Sequence, residues 1–549
     1  MGQRPVLSPT IAQLLALSFG AAVLGLLALI WAIAQRQFSD LDRGARVIFR
    51  PGEEDRGEDP TAPQSELQRV LPGTPEWDTQ EQQLESRRRA DLSVRAPVLW
   101  FTVSATVWLI VGSLAGLAVS LKFNLPDWWV QTPALTFGRL RPIHLNVVAY
   151  GWLSMAGVAS ALWLLPRTLR TPLRGGRWAV AGAVLWNVGM VLGVGALAAG
   201  WTDGLEWLEF PWHVDGLFVV AGALAGVPLL LSLRDRQVEH LYVSTWYVAA
   251  ALVWFPILFT VANWPGVHFG VEHALVNWWF AHNVLGLWFT PLALAAAYYL
   301  IPKIVGRPIH SYQLSLLGFW ALALFYSQVG VHHLIGGPVP TWVVTLSIVT
   351  SVAMVVPVIA VAVNHHMTVL GRFRALGTSP VLRFVVAGAM MYTLASLQGS
   401  LTSLRSVNTV THFTHYTIAH AHLGAYGFAS FVFFGAVYFF MPRITGVEWI
   451  SRRLIDLHLV LAGFGFAVYF GALTVGGVQQ GLAMLDVDVS FVQSMVGTKP
   501  WLWGRTAGGT LMTLGHFVFA AHLVAILVRA YRARGEPSTR TGHFAEAAS

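Results

Sequence analysis

The chain has 549 residues, 55% of them hydrophobic and only 11% charged, with a mean hydropathy of +0.58; this excludes a soluble globule and indicates an integral membrane protein. It contains no cysteine, which excludes disulfides, iron–sulfur clusters, covalently attached c-type haem and cysteine-ligated copper, and leaves histidine as the strong metal ligand in quantity. The net charge of +8 would suggest nucleic acid in a soluble protein, but here the arginines have a topological explanation and no nucleic-acid partner is expected.

Apolar runs long enough to cross a bilayer recur at residues 11–34, 97–121, 143–165, 178–200, 213–233, 242–263, 275–301, 312–335, 341–364, 381–401, 417–441, 456–478 and 508–531. That makes about thirteen helical spans, since a β-barrel would show short alternating strands instead. The predicted fold is an all-α polytopic bundle: one N-terminal transmembrane helix, then a twelve-span core. The first run lacks a cleavage site and is followed by charged residues, so it reads as a retained anchor.

Residues 1–35 form this anchor and residues 36–95, polar and without apolar period, read as a flexible cytoplasmic linker. Residues 96–532 are the core, and residues 533–549 a disordered cytoplasmic tail. No strong internal repeat is evident. Arginines and lysines cluster in alternate loops, around Arg167–Arg177, Arg234, Lys303, Arg372, Arg443 and Arg529. The positive-inside rule puts those loops and the C-terminus in the cytoplasm.

His420 and His422 lie two residues apart on a helix, hence ~200° apart around its axis. They cannot easily grip one metal together, and each needs its own partner. Buried polar side chains within a span are costly, so two facing opposite ways suggest two iron centres flanking one helix. Taken alone, the pair could equally hydrogen-bond to neighbouring helices. Topology places His144, His282, His332, His333, His420 and His422 together in the outer third of the bilayer. The three imidazoles His282, His332 and His333, with no thiolate, suit copper. His144 can complete a bis-His iron with His422, leaving the iron of His420 with an open face toward the copper, a place to bind and reduce dioxygen. The adjacent pair His365-His366 ends its span at the inner surface and reads as interfacial and structural. His310, His412, His415, His458, His516 and His522 read as caps, water bridges or partners of haem carboxylates.

These residues resemble the catalytic subunit of the haem–copper oxygen reductases, most of all the cbb3-type branch. The resemblance is carried by Leu135-Thr-Phe-Gly-Arg-Leu-Arg-Pro-Ile-His144, Trp278-Trp-Phe-Ala-His282-Asn283, Tyr298-Tyr-Leu-Ile-Pro-Lys303, Phe319-Trp-Ala through Tyr326 to His332-His333, and Thr417-Ile-Ala-His420-Ala-His422. It implies that His144 and His422 ligate a low-spin haem b, His420 a high-spin haem b, and His282, His332 and His333 copper. It also implies that Tyr326, read as two helical turns from His333 on one face, is linked covalently to His282 and supplies an electron and a proton for O–O cleavage. Nitric oxide reductase is the alternative within the superfamily. It expects an acid one turn after the first copper ligand, where this chain has Gly286. Outside the superfamily, a metal-binding membrane transporter is the other reading. Gln398 stands where the branch has a glutamate.

The resemblance further implies a proton pathway through Tyr298, Ser315 and Tyr392. Arg139, Arg141, Arg405 and Asn408, at the outer end, could bind haem propionates, and Glu209 could ligate calcium. Electrons would come from c-type cytochrome subunits, and ultimately from cytochrome c, in a bacterial or archaeal cell membrane. Finally, the N-terminal span with Gln37-Phe-Ser-Asp-Leu-Asp42 resembles the small single-span protein that assembles cbb3-type oxidases.

Overall fold

The computed structural model describes residues 9–49, 53–55, 57, 58, 60, 61, 75–264 and 269–535; most of the expected tail and part of the expected linker lie outside the described residues. No strand is present among them, only an isolated bridge between Leu205 and Leu208. The helices in chain order are α1 (Pro9–Ala34), α2 (Leu41–Arg46), α3 (Pro75–Asn124), α4 (Phe137–Asn146), α5 (Ser154–Leu169), α6 (Gly176–Ala199) and α7 (Trp212–Arg234). There follow α8 (Val243–Ala262), α9 (Gly270–Val284), α10 (Thr290–Val305), α11 (Tyr312–Phe325), α12 (Thr341–Ala353), α13 (Val355–Val369) and α14 (Phe373–Thr378). The last are α15 (Pro380–Thr402), α16 (Arg405–Thr411), α17 (His415–His422), α18 (Phe431–Thr445), α19 (Arg452–Leu485), α20 (Phe491–Val496) and α21 (Lys499–Gly535). Joined across their irregular segments, they give twelve spans long and apolar enough to cross a membrane among the described residues. α1, with 26 residues, precedes them.

Three of these spans share one construction, which the sequence reading missed. α4, α9 and α17 each pass into a π-helical segment, at Val147–Leu153, Leu285–Phe289 and Leu423–Ser430, and then continue as α5, α10 and α18. A π segment widens the helix and is often found at functional sites. At the far end each span closes alike. Pro166, Pro302 and Pro442 are followed by Arg167, Lys303 and Arg443, and the carbonyl of each proline accepts the N–H of a left-handed cap at Arg170, Gly306 or Gly446. The three spans are also the most enclosed, with buried shares of 94%, 89% and 89%, so they form the inner ring and the others pack around them. The repeat escapes a sequence scan because only the helix ends and a few small residues recur, while the packing surfaces differ.

Two sequence readings are corrected here. The segment 36–95 is not a flexible linker where it is described: residues 75–95 are helix, the first turns of the 50-residue α3. Its charged and glutamine-rich composition reads as solvated chain but is also made of good helix formers. Upstream, Glu53 and Glu58 are buried against the core. Likewise α11 does not run through to His333. It ends at Phe325, residues Tyr326–Gln328 form a 3₁₀ turn, and the chain reverses at Gly330 with φ 118° before a second 3₁₀ turn, Val331–Leu334. Tyr326 and His333 are therefore not two turns apart on one helix face. Gly330 is required there, because a Cβ would lie 2.6 Å from the Trp278 carbonyl oxygen and 2.9 Å from His282 Cβ.

Candidate functional site

The reversal at Gly330 lays His332 and His333 against α9. One ligand atom from each of His282, His332 and His333 lies within 4.8 Å of the others, and this is the only such group of three His, Cys, Asp or Glu among the described residues. Ligands of a shared ion at ~2 Å stand about 3 Å apart, so a small closure completes the set. Two of the rings are held from outside. His332 Nδ1 meets Ser347 Oγ at 3.2 Å and Ser351 Oγ at 3.1 Å, and His333 stacks on Trp278 with centroids 4.4 Å apart. His282 Nδ1 is buried with no hydrogen-bond partner. A buried imidazole nitrogen without a partner, on a ring 5.1 Å and 5.7 Å from two more imidazoles, fits a copper ligand.

α17 carries the two histidines that face opposite ways, as their spacing predicts. His420 turns toward the copper-type trio and α15. Its Nδ1 is 3.0 Å from Gln398 Oε1, and Gln398 Nε2 donates to the Tyr416 hydroxyl at 2.9 Å. This chain fixes Nδ1 as the protonated nitrogen and leaves Nε2 as the ligand atom. Nε2 looks onto Gly399, where a Cβ would sit 3.4 Å away. Gln398 thus takes the orienting place that a glutamate would hold, without its charge.

His422 turns to α4. Its ring lies 6.3 Å from that of His144, with the planes 15° apart. Two metal–nitrogen bonds of ~2 Å plus roughly 1 Å from each nitrogen to its ring centre sum to about 6 Å, so one metal fits between them. Both Nδ1 atoms are bound to backbone carbonyls, His144 to Gly112 at 2.8 Å and His422 to Ile418 at 2.9 Å. Tyr469 lies 3.2 Å from His422 Nε2. Gly116 gives His144 its room: a Cβ there would reach 2.5 Å from the ring. Haem irons at both histidine faces, and copper at the trio, fit the donors present.

Tyr326 packs beside His282, ring centroids 5.1 Å apart, and over Gly286. Of the pathway residues, Ser315 Oγ accepts from Asn364 Nδ2 at 3.0 Å, and Tyr298 stands beside both. Tyr392 is buried on α15, and its hydroxyl, like that of Tyr298, has no hydrogen-bond partner.

Other residues fall differently. Arg139 donates to the Ala198 carbonyl at 2.7 Å and Arg141 pairs with Glu206 at 2.7 Å, so both are committed to the 198–209 loop. Asn408 Nδ2 donates to the Thr402 carbonyl at 3.2 Å. Arg405 starts the short α16. Glu209 accepts from Asn146 at 2.7 Å through Oε2, while its buried Oε1 has no hydrogen-bond partner. Burial, and next the Glu206 carboxylate, push its pKa up to about 7 against Asn146 and Arg141.

The sequence reading missed Arg505. It is buried, its Nε and Nη1 lack hydrogen-bond partners, it lies over the Phe123 ring at 4.7 Å, and its charge reaches both His144 and His422. A lone arginine inside the apolar run from Trp501 to Val528 is the available signal. The reading of the adjacent pair His365-His366 needs a correction too. His365 is not interfacial: it is 1% exposed, both ring nitrogens lack partners, and it packs on Tyr298 at 4.5 Å. His366 alone is half-buried.

Comparison with known proteins gives the family. Residues 96–511 match the family described as cytochrome C and quinol oxidase polypeptide I, and residues 10–50 match the cbb3-type cytochrome oxidase maturation protein. A cbb3-type cytochrome c oxidase subunit of Stutzerimonas stutzeri is 31% identical over 436 residues, covering 76% of this chain and 92% of its own. Cytochrome c oxidase subunit 1 of Rhodobacter capsulatus is 32% identical over 449 residues, 78% of this chain and 84% of its own. The cryo-EM structure of a heme-copper terminal oxidase dimer shares the fold, with a TM-score of 0.66 at 17% identity over 79% of this chain and 84% of that one. The chain belongs to the cytochrome c and quinol oxidase polypeptide I family, in its cbb3-type branch, and is an oxidoreductase subunit of a multi-pass membrane kind.

Proposed function

We propose that the chain reduces dioxygen to water between His420 and the trio His282, His332 and His333, using electrons received through His144 and His422. His144 and His422 would hold a low-spin haem b, His420 a high-spin haem b, and the trio a copper ion. When bound, haem and copper supply electrons to dioxygen and a positive field for the oxygen atoms. The chain's own residues do the rest. Gln398 and Tyr416 fix the tautomer and aim of His420; Ser347 and Ser351 do so for His332.

Tyr326 is the redox-active side chain within reach of the trio, and its phenol can give up one electron and one proton together. Ser315, Asn364, Tyr298 and Tyr392 would return protons to it from the arginine-rich end, through intervening water. Arg505, with its unpartnered N–H groups, would bind a haem carboxylate beside His422 as a charge-assisted bond. Arg405 and Asn408 are the outer-end candidates for a second carboxylate. Glu209 Oε1, without a hydrogen-bond partner but with Arg141 at 4.0 Å, would be the ligand atom for a cation such as calcium.

Electrons would come from c-type cytochrome subunits of the same complex, since a chain without cysteine cannot bind such a haem covalently. The setting would be the inner membrane of a bacterium or archaeon. Gly286 argues against nitric oxide chemistry, because Tyr326 fills the space that an acid at that position would need. The observation that carries the reading is the convergence of six imidazoles from α4, α9, the 331–334 turn and α17. A reduced-minus-oxidised spectrum with metal analysis tests it: two b-type haems and one copper per chain are expected, and a preparation with oxidase activity but only one haem would refute it.

A further inference from the structure

Arg167, Lys303 and Arg443 occupy the same position in the three repeated inner spans, just after the closing proline. All three are buried, and three cations so close would repel one another at the end of the bundle unless anions enter. Arg167 has Asp91 of α3 at 3.3 Å, and the other anions come from the N-terminal segment. Glu58 meets Arg443 at 2.7 Å, Lys303 at 3.2 Å and Arg167 at 3.5 Å. Glu53 meets Lys303 at 2.5 Å and Arg87 of α3 at 2.5 Å. Backbone bonds fix the approach, from Asp55 N to Gly306 O at 2.6 Å and from Glu58 N to Lys303 O at 2.7 Å.

A second anchor lies nearer α1. Gln37 imitates a neighbouring strand, donating to Glu239 O and accepting from Leu241 N, each at 2.8 Å. Burial alone would raise the Glu58 carboxyl, but Arg443, Lys303 and Arg167 hold it well below the usual carboxylate range. Glu53 is held low by Lys303 and Arg87 against the same cost. The two glutamates lie beyond residues 10–50, where the maturation-protein likeness ends.

We propose that Arg167, Lys303 and Arg443 form a carboxylate-binding site that takes the chain's own Glu58, with Glu53 beside it, and so keeps the N-terminal helix seated on the catalytic core as a built-in subunit of the finished enzyme. A free single-span partner could leave after assembly; here departure would take the Glu58 carboxylate from Lys303 and Arg443, while Arg167 keeps Asp91 of α3 at 3.3 Å. Four neighbouring carboxylates provide an internal comparison, since the side chains of Glu53 and Glu58 are 2% and 0% exposed while those of Glu54 and Asp55 are 36% and 85% exposed.

The test is carboxyl footprinting of active, full-length enzyme, with carbodiimide coupling of a small amine read residue by residue by mass spectrometry. Glu53 and Glu58 should label at least about tenfold more slowly than Asp55. Equal labelling overturns the proposal. In Glu58→Gln, Glu53 should label at least about tenfold faster than in the parent, with haem content kept; continued protection of Glu53 overturns it. If Glu58→Gln does not assemble, the charge-balanced Glu58→Gln/Lys303→Met variant decides. Assembly with Glu53 exposed supports the docked segment. Assembly with Glu53 protected, or failure to assemble, places the segment in the core's own fold and overturns it.

Discussion

Gly286 exists for Tyr326: a Cβ on residue 286 would lie 1.7 Å from Tyr326 Cε1 and 1.8 Å from Cζ. The phenol lies in the space of a missing side chain, one turn beyond His282. Gly286→Ala must therefore move Tyr326 off His282, and a misplacement of about 1 Å can cost on the order of 100-fold in rate. Oxygen consumption of Gly286→Ala should fall at least about tenfold while the spectrum of the His144/His422 haem stays unchanged. Parental turnover would show that Tyr326 need not be where it stands.

The opposed faces of α17 make a spectroscopic prediction. His144→Ala and His422→Ala should each abolish the low-spin haem signal and retain high-spin haem, because His420 is oriented independently through Gln398. His420→Ala should do the reverse. A normal low-spin spectrum in either of the first two variants would contradict the pairing.

The twelve spans of the core and the opposed facing of His420 and His422 are legible because membrane insertion demands long apolar runs and penalises each buried imidazole. The readings that the structure corrects are those decided by packing against one particular distant neighbour. The helix through Tyr326 was extrapolated across Gly330, whose reversal is compensated by contact with Trp278 and His282. The segment 36–95 reads as solvated because Arg167, Lys303 and Arg443, the cations that meet Glu58, lie far along the chain. The 1% exposure of His365 depends on Tyr298 and other helices packed over it.

That last correction has a measurable consequence. His365→Ala leaves a cavity at a packed site and should cost about 2–4 kcal/mol of stability. His366→Ala, at a half-buried position, should cost within about 1 kcal/mol. Thermal unfolding of the two variants, followed by loss of haem absorbance, would contradict this assignment if the order were reversed.

Glu209 gives a pH dependence of definite sign. Its folded pKa is raised to about 7 from the ordinary 4.5, so the folded state binds the extra proton, and stability is lost as pH rises through that window. Relative to Glu209→Gln, the parent should match near pH 4 and fall behind progressively up to about pH 8. Calcium added at pH 8 should restore the parent and leave the variant unchanged. A difference that does not vary with pH would remove the buried carboxylate from the explanation, and no response to calcium would remove the cation.

Reduction of dioxygen to water takes four electrons and four protons, and nitric oxide reduction has no need of a phenol at the metal pair. The most direct measurement is oxygen uptake by purified Tyr326→Phe enzyme that retains its full haem and copper content. The phenyl ring preserves the packing over Gly286 and beside His282, so only the hydroxyl is lost. Uptake should fall to background. Uptake at the parental rate would contradict oxygen reduction at the site built by His282, His332, His333 and His420 with Tyr326 as its redox partner.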